Sequence, residues 1–180
     1  GQIVFYDSSV DASYDGNGDY ASGSIMEYCT VEHGGGILLN LGNPFINQNT
    51  IRYNSGSGIK ADSKDSSNKT ATLKITNNVI SNNTNYSSNM MTTVNGGGVW
   101  FYGYGTVVIS GNTISNNITS GSGGGIKAEG SNVTISGNTI ENNKCVSYEL
   151  DGNGDFQISG SGGGIEITPV WDPDGAAATL

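Results

Sequence analysis

The sequence predicts an all-β solenoid of short parallel strands, with three strands in each turn. Two repeated patterns support this prediction. The first is a glycine-rich stretch that leads into a strand, and its copies reach Ile37, Ile59, Val99, Ile126 and Ile165. The second is Ile-x-x-Asn-x-Ile-x-x-Asn, and its copies begin at Ile46, Ile75, Ile109 and Ile135. Ile37 and Ile59 are 59 − 37 = 22 residues apart, a period typical of solenoids, and the short β-branched runs favour strands.

Residues 123–143 form one regular unit and show how the side chains are expected to alternate. In its first strand Ile126 and Ala128 point inward, whereas Lys127 and Glu129 point outward. Successive turns stack about 4.8 Å apart, so equivalent residues of neighbouring turns lie above one another. An aliphatic column therefore fills the core. The corners need positive φ, which Gly and Asn tolerate, and a buried Asn amide can bond the turns above and below. The predicted structural ladder comprises Asn49, Asn78, Asn112 and Asn138.

These motifs resemble a known family. The Ile-Ser-Gly-Asn-Thr-Ile corner at 135–140, the stacked asparagines and the Gly-Gly-Gly-Ile strands are similar to the right-handed parallel β-helix repeat family. This is the pectin-lyase-like fold of pectate lyases, polygalacturonases and many bacterial surface proteins. The resemblance covers nearly the whole chain and implies one right-handed parallel β-helix domain over residues 1–180, with about five to six turns. It specifies the fold strongly and the activity hardly at all.

Both ends of the sequence predict a segment of a longer solenoid. Residues 178–180 repeat the Ala-Thr-Leu of residues 71–73, which stands just before an Ile-x-x-Asn unit, and the first residues already read as a strand. We therefore expect further β-helix turns or domains at both ends, with any signal peptide outside this segment. The resemblance implies a bacterial protein that is secreted or displayed on the cell surface.

Composition narrows the possible partners. The formal net charge is −9 and the pI is about 4.2, which argues against nucleic acid because phosphates attract basic patches. No apolar stretch is long enough for membrane insertion. The hydrophobic fraction of 34% is low, but a solenoid tolerates this since each turn buries a thin aliphatic column.

Two acidic loops resemble the start of a calcium loop. Asp151, Asn153 and Asp155 place oxygen ligands at alternate positions, as Ca²⁺ prefers, but Phe156 and Gly162 stand where such loops have Gly and a bidentate Glu. A similar run comprises Asp15, Asn17 and Asp19. The alternative is a pair of Asn-Gly turns in exposed loops. We predict that no cofactor is required, and Ca²⁺ is the candidate ion that these loops suggest.

The outward face of the first strands is the candidate binding surface. Aromatic rings beside charges on a rigid face suit a polysaccharide, because sugar faces pack on rings and hydroxyls bond to charged groups. The resemblance implies a substrate groove over this same strand, flanked by the loops 84–95 and 144–161. The candidate carbohydrate-binding residues are Lys60, Asp62, Trp100, Tyr102, Lys127 and Glu129. The alternative is that a flanking loop covers these aromatics.

No catalytic residues are predicted. The single histidine, His33, shares a column with Tyr53 and Asn82, which indicates a structural role. Where polygalacturonases carry acidic residues, this chain has Ser57-Gly58, Gly97-Gly98, Gly124-Gly125 and Gly163-Gly164. The predicted function is therefore a non-catalytic scaffold that is carbohydrate-binding or adhesive. The alternative is part of a polysaccharide lyase or glycoside hydrolase with a pectin-like substrate.

Overall fold

The computed structural model describes residues 1–63, 72–87, 94–150, 156–159 and 162–168. Every regular element in these ranges is a β-strand. In chain order the strands are β1 (Ile3–Tyr6), β2 (Ser13–Tyr14), β3 (Tyr20–Ser22), β4 (Ile25–Glu27), β5 (Thr30–Glu32), β6 (Ile37–Asn40), β7 (Phe45–Asn47), β8 (Thr50–Arg52), β9 (Ile59–Ser63), β10 (Thr72–Thr76), β11 (Val79–Ser81), β12 (Thr84–Asn85), β13 (Val99–Ser110), β14 (Thr113–Ser115), β15 (Ile118–Thr119), β16 (Ile126–Ser136), β17 (Thr139–Glu141), β18 (Lys144–Cys145), β19 (Ser147–Leu150), β20 (Phe156–Ser159) and β21 (Ile165–Thr168).

Three walls of parallel strands enclose the core. The first wall stacks β1, β6, β9, the start of β13, the start of β16 and β21. The second stacks β4, β7, β10 and the later parts of β13 and β16, and the third stacks β5, β8, β11, β14 and β17. The chain is therefore a right-handed parallel β-helix, and the predicted fold is confirmed.

Two features of the turns were not anticipated. A short fourth stack, formed by β12, β15 and β18, follows the third wall. In addition, β13 and β16 run without interruption through the corner between the first and second walls, where their register shifts between Gly103 and Thr106. Those two walls consequently belong to one continuous sheet.

The inward columns form the core as alternation requires. Ile59, Val99 and Ile126 stack in register on the first wall and are fully buried. Ile80 and Ile114 do the same on the third wall. Burying one such side chain contributes about 1.5–3 kcal/mol.

Buried asparagines tie successive turns together along two corners. In the first ladder Asn49, Asn78 and Asn112 each donate from Nδ2 to the Oδ1 of the next asparagine, at 2.9–3.0 Å, and the series ends at Asn138. A second ladder in the other half of the motif comprises Asn54, Asn83, Asn117 and Asn143. Each Oδ1 also accepts a main-chain N–H from the preceding turn, as in Asn78 to Asn112 at 2.9 Å. The buried amides are therefore satisfied by one another.

Positive φ falls on the residue before each ladder asparagine. Gly137 precedes Asn138 with φ 62°, and Asn142 precedes Asn143 with φ 56°. His33 has φ 56° in the equivalent column, which gives the single histidine a backbone role at an exposed corner. In the early turns, the position before the ladder asparagine is occupied by residues other than Gly and Asn. These residues are sterically strained, because the left-handed backbone conformation suits Gly and Asn best.

Gln48 offers a direct test of this corner strain. It is exposed and has φ 54°. Gln48→Gly is expected to raise the free energy of unfolding by about 0.5–1 kcal/mol, because glycine relieves the left-handed strain. Urea titration measures this change. Thr50→Gly, in the strand that follows, serves as the control and should lower stability. A loss of stability in Gln48→Gly would contradict the corner assignment.

The hairpin of β2 and β3 lies outside the helix and packs on the second wall. Tyr14 and Tyr20 contact the Phe45 ring, with centroid distances of 5.9 and 5.8 Å. The Lys74 ammonium lies 3.9 Å from the centre of the Tyr14 ring and donates to the Gly18 carbonyl. Burial raises the pKa of Tyr14 to about 12. These contacts hold the hairpin in a fixed position against the wall.

Candidate functional site

Glycine turns fold back over the outer face of the first wall. Gly96 has φ +58°, and a Cβ there would lie 2.5 Å from the Trp100 Cβ. Gly123 has φ +66°, and its added Cβ would lie 2.7 Å from the Lys127 Cβ. Only glycine allows the chain to pass this close, so each turn covers the outward side chain four residues further on. This approach explains why the first glycine is needed in the Gly-Gly-Gly stretches that begin at Gly96 and Gly123.

A pocket of about 230 Å³ opens on this outer face. It spans β9, β13 and β16, together with the segment that leads into Gly96. Its lining residues are Lys60, Asp62, Asn95, Trp100, Tyr102 and Glu129. The structure thus brings together five of the six residues proposed from sequence. It also adds Asn95, which belongs to the flanking segment 84–95.

Lys60 and Trp100 form one wall of the pocket. They are register partners on β9 and β13, and the Lys60 Nζ lies 4.4 Å from the centre of the Trp100 ring. Such a cation–π contact contributes about 0.5–2 kcal/mol. The Trp100 Nε1 is buried, and among the described residues it has no hydrogen-bond acceptor. The indole face beside Lys60 is therefore occupied by the protein's own cation.

Lys127 behaves differently from the expectation. It lies on the outer face, as alternation requires, but only 5% of it is exposed and it does not line the pocket. Its Nζ forms an ion pair with Glu166 Oε1 at 2.5 Å. The backbone turn at Gly123 covers the lysine side chain. Glu166, in the next turn of the β-helix, neutralises its charge. The expectation of an available cation at Lys127 is corrected accordingly.

Two carboxylates flank the Tyr102 side chain. Asp62 on β9 and Glu129 on β16 are the register partners of Tyr102 on either side. Within the described part of the chain, neither carboxylate has a hydrogen-bond or ion-pair partner. Among the lining residues that the structure describes, Lys60 is the single cation beside these two carboxylates.

Asn95 is the lining residue that sequence reasoning missed. Its Oδ1 accepts from the Ser122 N–H at 3.0 Å, and its main-chain oxygen accepts from Asn85 Nδ2 at 2.7 Å. Both bonds fix the segment at the mouth of the pocket. The available signal was its position directly before the Gly-Gly-Gly stretch, where the chain must turn back over the wall.

The structure describes one of the two candidate calcium loops. Asp15, Asn17 and Asp19 lie at the tip of the β2–β3 hairpin, where the Asp15 Oδ1 accepts the main-chain N–H groups of Asn17 and Asp19, both at 2.9 Å. That carboxylate therefore caps the turn. Asp151, Asn153 and Asp155 lie outside the described residues. The described ranges hold no group of three or more His, Cys, Asp or Glu placed to bind a metal, and Ca²⁺ stays a prediction.

His33 and Cys145 lie in settings that do not suit a nucleophile. The His33 ring is stacked on Tyr53 at an exposed corner, with 5.8 Å between the centroids. The pKa of the Cys145 thiol lies above its ordinary value, chiefly because burial disfavours the thiolate, and a raised pKa reduces nucleophilicity near neutral pH. Neither residue lines the pocket.

The fold and its pocket define the class of protein: a parallel β-helix with a polar, aromatic recess on its first wall. A family model described as a right handed beta helix region matches residues 85–162. The matched stretch includes β13 and β16, which supply Trp100, Tyr102 and Glu129. The comparison with curated proteins finds no match, and neither does the comparison with solved structures. Within the described ranges, none of the elements is a helix able to cross a membrane.

Proposed function

We propose that this chain is a non-catalytic β-helix scaffold of a secreted or cell-surface bacterial protein, and that its first wall binds carbohydrate. The observation that carries the proposal is the pocket itself. Three successive turns contribute aromatic, acidic and basic side chains to one recess, and an asparagine stands at its mouth. Because the strands fix the spacing of these groups, the site is largely preformed.

The chemistry of the recess suits a sugar. Tyr102 provides an aromatic surface, and Asp62, Glu129 and Lys60 provide groups that bond to hydroxyls. The volume of about 230 Å³ lies below the roughly 300–1,000 Å³ of sites for drug-sized ligands. It therefore fits about one sugar ring of a longer chain, whose other rings would lie along the wall.

The proposal predicts a loss of glycan binding in Trp100→Ala. Removal of the indole deletes a wall of the pocket and the platform under Lys60, so retardation by polysaccharides in affinity electrophoresis should disappear. Tyr53→Asn is the matched control, since it removes an exposed aromatic ring at a corner on another face and leaves a residue that tolerates its backbone. Equal retardation of Trp100→Ala and the parent protein would mean that the pocket is not the carbohydrate-binding site.

The chain is further expected to be catalytically silent. Asp62 and Glu129 stand two turns apart, so roughly 10 Å separates their backbones, near the upper limit for an inverting glycosidase pair. Lys127, the other basic residue on this face among the described residues, is committed to Glu166. Reducing-end release and unsaturated-product absorbance on pectin, polygalacturonate and alginate, with and without Ca²⁺, should stay at background. Turnover that disappears in Asp62→Ala would favour the polysaccharide lyase or hydrolase alternative.

A further inference from the structure

The tip of the β2–β3 hairpin carries an asparagine followed directly by a glycine, Asn17 and Gly18. We propose that Asn17 is a modification site: it deamidates spontaneously to isoaspartate, and this change releases the hairpin from the second wall. The proposal is independent of carbohydrate binding at the first wall. It depends on the contrast with a second pair, Asn95-Gly96, which has the same two residues in different surroundings. The third pair, at 153–154, lies outside the described residues.

The reaction needs an asparagine side chain that can turn toward the next main-chain nitrogen. The Gly18 nitrogen gives its proton to hydroxide and bonds to the Asn17 Cγ. The Cγ–Nδ2 bond breaks, and the departing nitrogen takes a proton from water and leaves as ammonia, which regenerates hydroxide. Water then opens the cyclic imide: opening at the main-chain carbonyl gives isoaspartate, and opening at Cγ gives aspartate. Glycine favours ring closure, since it has no side chain to obstruct the approach.

Few contacts restrain the pair at the hairpin tip. Asn17 and Gly18 are both exposed, and the Asn17 side chain forms no hydrogen bond within the part of the chain that the structure describes. The Gly18 N–H donates to the Asp15 carbonyl at 2.9 Å, so this turn bond must open before the nitrogen can attack. An exposed loop tip opens at a small cost in free energy, because few buried contacts are lost.

Asn95, in contrast, is held at both its side chain and the attacking nitrogen. Its Oδ1 accepts from the Ser122 N–H at 3.0 Å and from the Ser122 Oγ at 3.3 Å. The Gly96 N–H donates to the Ser122 carbonyl at 2.9 Å, and Gly96 is buried against Trp100. Ring closure there requires the segment to lift from the first wall. Asn95 should therefore react at least about tenfold more slowly than Asn17, which corresponds to about 1.4 kcal/mol of added barrier.

Isoaspartate would break the contacts that hold the hairpin tip. The main chain then runs through the former side chain, which inserts one methylene group before Gly18 and adds a carboxylate. The bond from the Asp19 N–H to the Asp15 Oδ1, now 2.9 Å, spans this insertion and cannot keep its geometry. Gly18 is also displaced from Lys74, whose ammonium donates to the Gly18 carbonyl and lies over the Tyr14 ring. The hairpin should consequently separate from the second wall.

Peptide mapping of protein stored at mildly alkaline pH tests the modification. The peptide that contains Asn17 is expected to gain the mass that separates an acid from an amide, and to accept a methyl group from an isoaspartate methyltransferase. Its conversion should accelerate as the pH rises, because the Gly18 nitrogen must lose a proton. The peptide that contains Asn95 should convert at least about tenfold more slowly. Equal conversion of the two peptides, faster conversion of Asn95 or no conversion would overturn the proposal.

Storage in urea separates the structural effect from the local sequence. Unfolding removes the Ser122 contacts, so the rates at Asn17 and Asn95 should approach each other. A difference in rate that persists unchanged in urea would mean that the neighbouring residues alone set it, and it would overturn the structural argument.

Limited proteolysis with chymotrypsin under native conditions tests the release of the hairpin. Cleavage after Tyr14 and Tyr20 should be at least about tenfold faster in stored protein than in fresh protein, because cleavage follows the population of the open form. Stored Asn17→Gln keeps an amide that forms the imide poorly, and fresh Asn17→Asp adds the charge without lengthening the main chain. Both should be cleaved at the rate of the fresh parent protein. Equal cleavage of stored and fresh parent, or rapid cleavage of fresh Asn17→Asp, would overturn release through the lengthened main chain.

Discussion

Ile114→Asp is expected to unfold the third wall and, with it, most of the cooperative structure. Ile114 is fully buried, and its Cγ2 lies against Gly98, so close that a Cβ on that glycine would come within 2.7 Å of it. An aspartate there would be a charge without a partner, at a cost of several kcal/mol. Small domains have total stabilities of about 5–15 kcal/mol. Circular dichroism should therefore show loss of the strand signal at 25 °C or a large fall in the urea midpoint.

Thr113→Asp is the matched control for this change. Thr113 precedes Ile114 in β14, points outward and is half-buried. The same acidic group at this position keeps access to water. The fold should therefore persist, and the free energy of unfolding should change by no more than about 1 kcal/mol. Equal stability of the Ile114→Asp and Thr113→Asp variants would mean that the inward and outward assignment is wrong.

Asn83→Ala should destabilise the protein by about 3–5 kcal/mol. Asn83 is fully buried; its Oδ1 accepts from the Asn54 N–H and Nδ2, and its Nδ2 donates to the Ile51 carbonyl and to Asn117 Oδ1. Alanine removes all four bonds and leaves several buried groups unsatisfied, each at about 1–3 kcal/mol. Equilibrium unfolding in urea measures the difference.

Asn132→Ala makes the same substitution outside the ladders. Asn132 is exposed in β16, and among the described residues its side chain has no hydrogen-bond partner. The free energy of unfolding of this variant should change by no more than about 0.5 kcal/mol. If the two alanine variants proved equally stable, the ladder bonds would contribute nothing to the net stability.

Much of this structure could be predicted from the sequence because a solenoid repeats its own constraints. The inward columns followed from strand alternation, and the Asn49 ladder followed from a fixed spacing within one motif. The glycines that precede Ile37 and Ile59 implied the register that pairs these two residues. In each case the same local rule recurs in successive turns, so an error in one unit is corrected by the others.

The parts that escaped prediction depend on contacts between turns. Alternation placed Lys127 outward, but its burial depends on the backbone at Gly123 and on Glu166 one turn away. Asn95 entered the pocket because the chain folds back over the wall, which no periodicity encodes. The burial of Trp100 Nε1 without an acceptor among the described residues, and the position of Lys60 above the ring, are likewise properties of side-chain packing between neighbouring strands.

The uninterrupted course of β13 has a mechanical consequence. The strand carries Trp100 and Tyr102 at one end and continues through the corner to the core residues Val107 and Ile109. Its ladder bonds to β9, β10 and β16 run across the strand direction. A pull applied at the pocket and directed along the strand would load these bonds together in shear instead of opening them one after another. The turns joined by β13 would therefore resist being peeled apart by a load applied at this end of the strand.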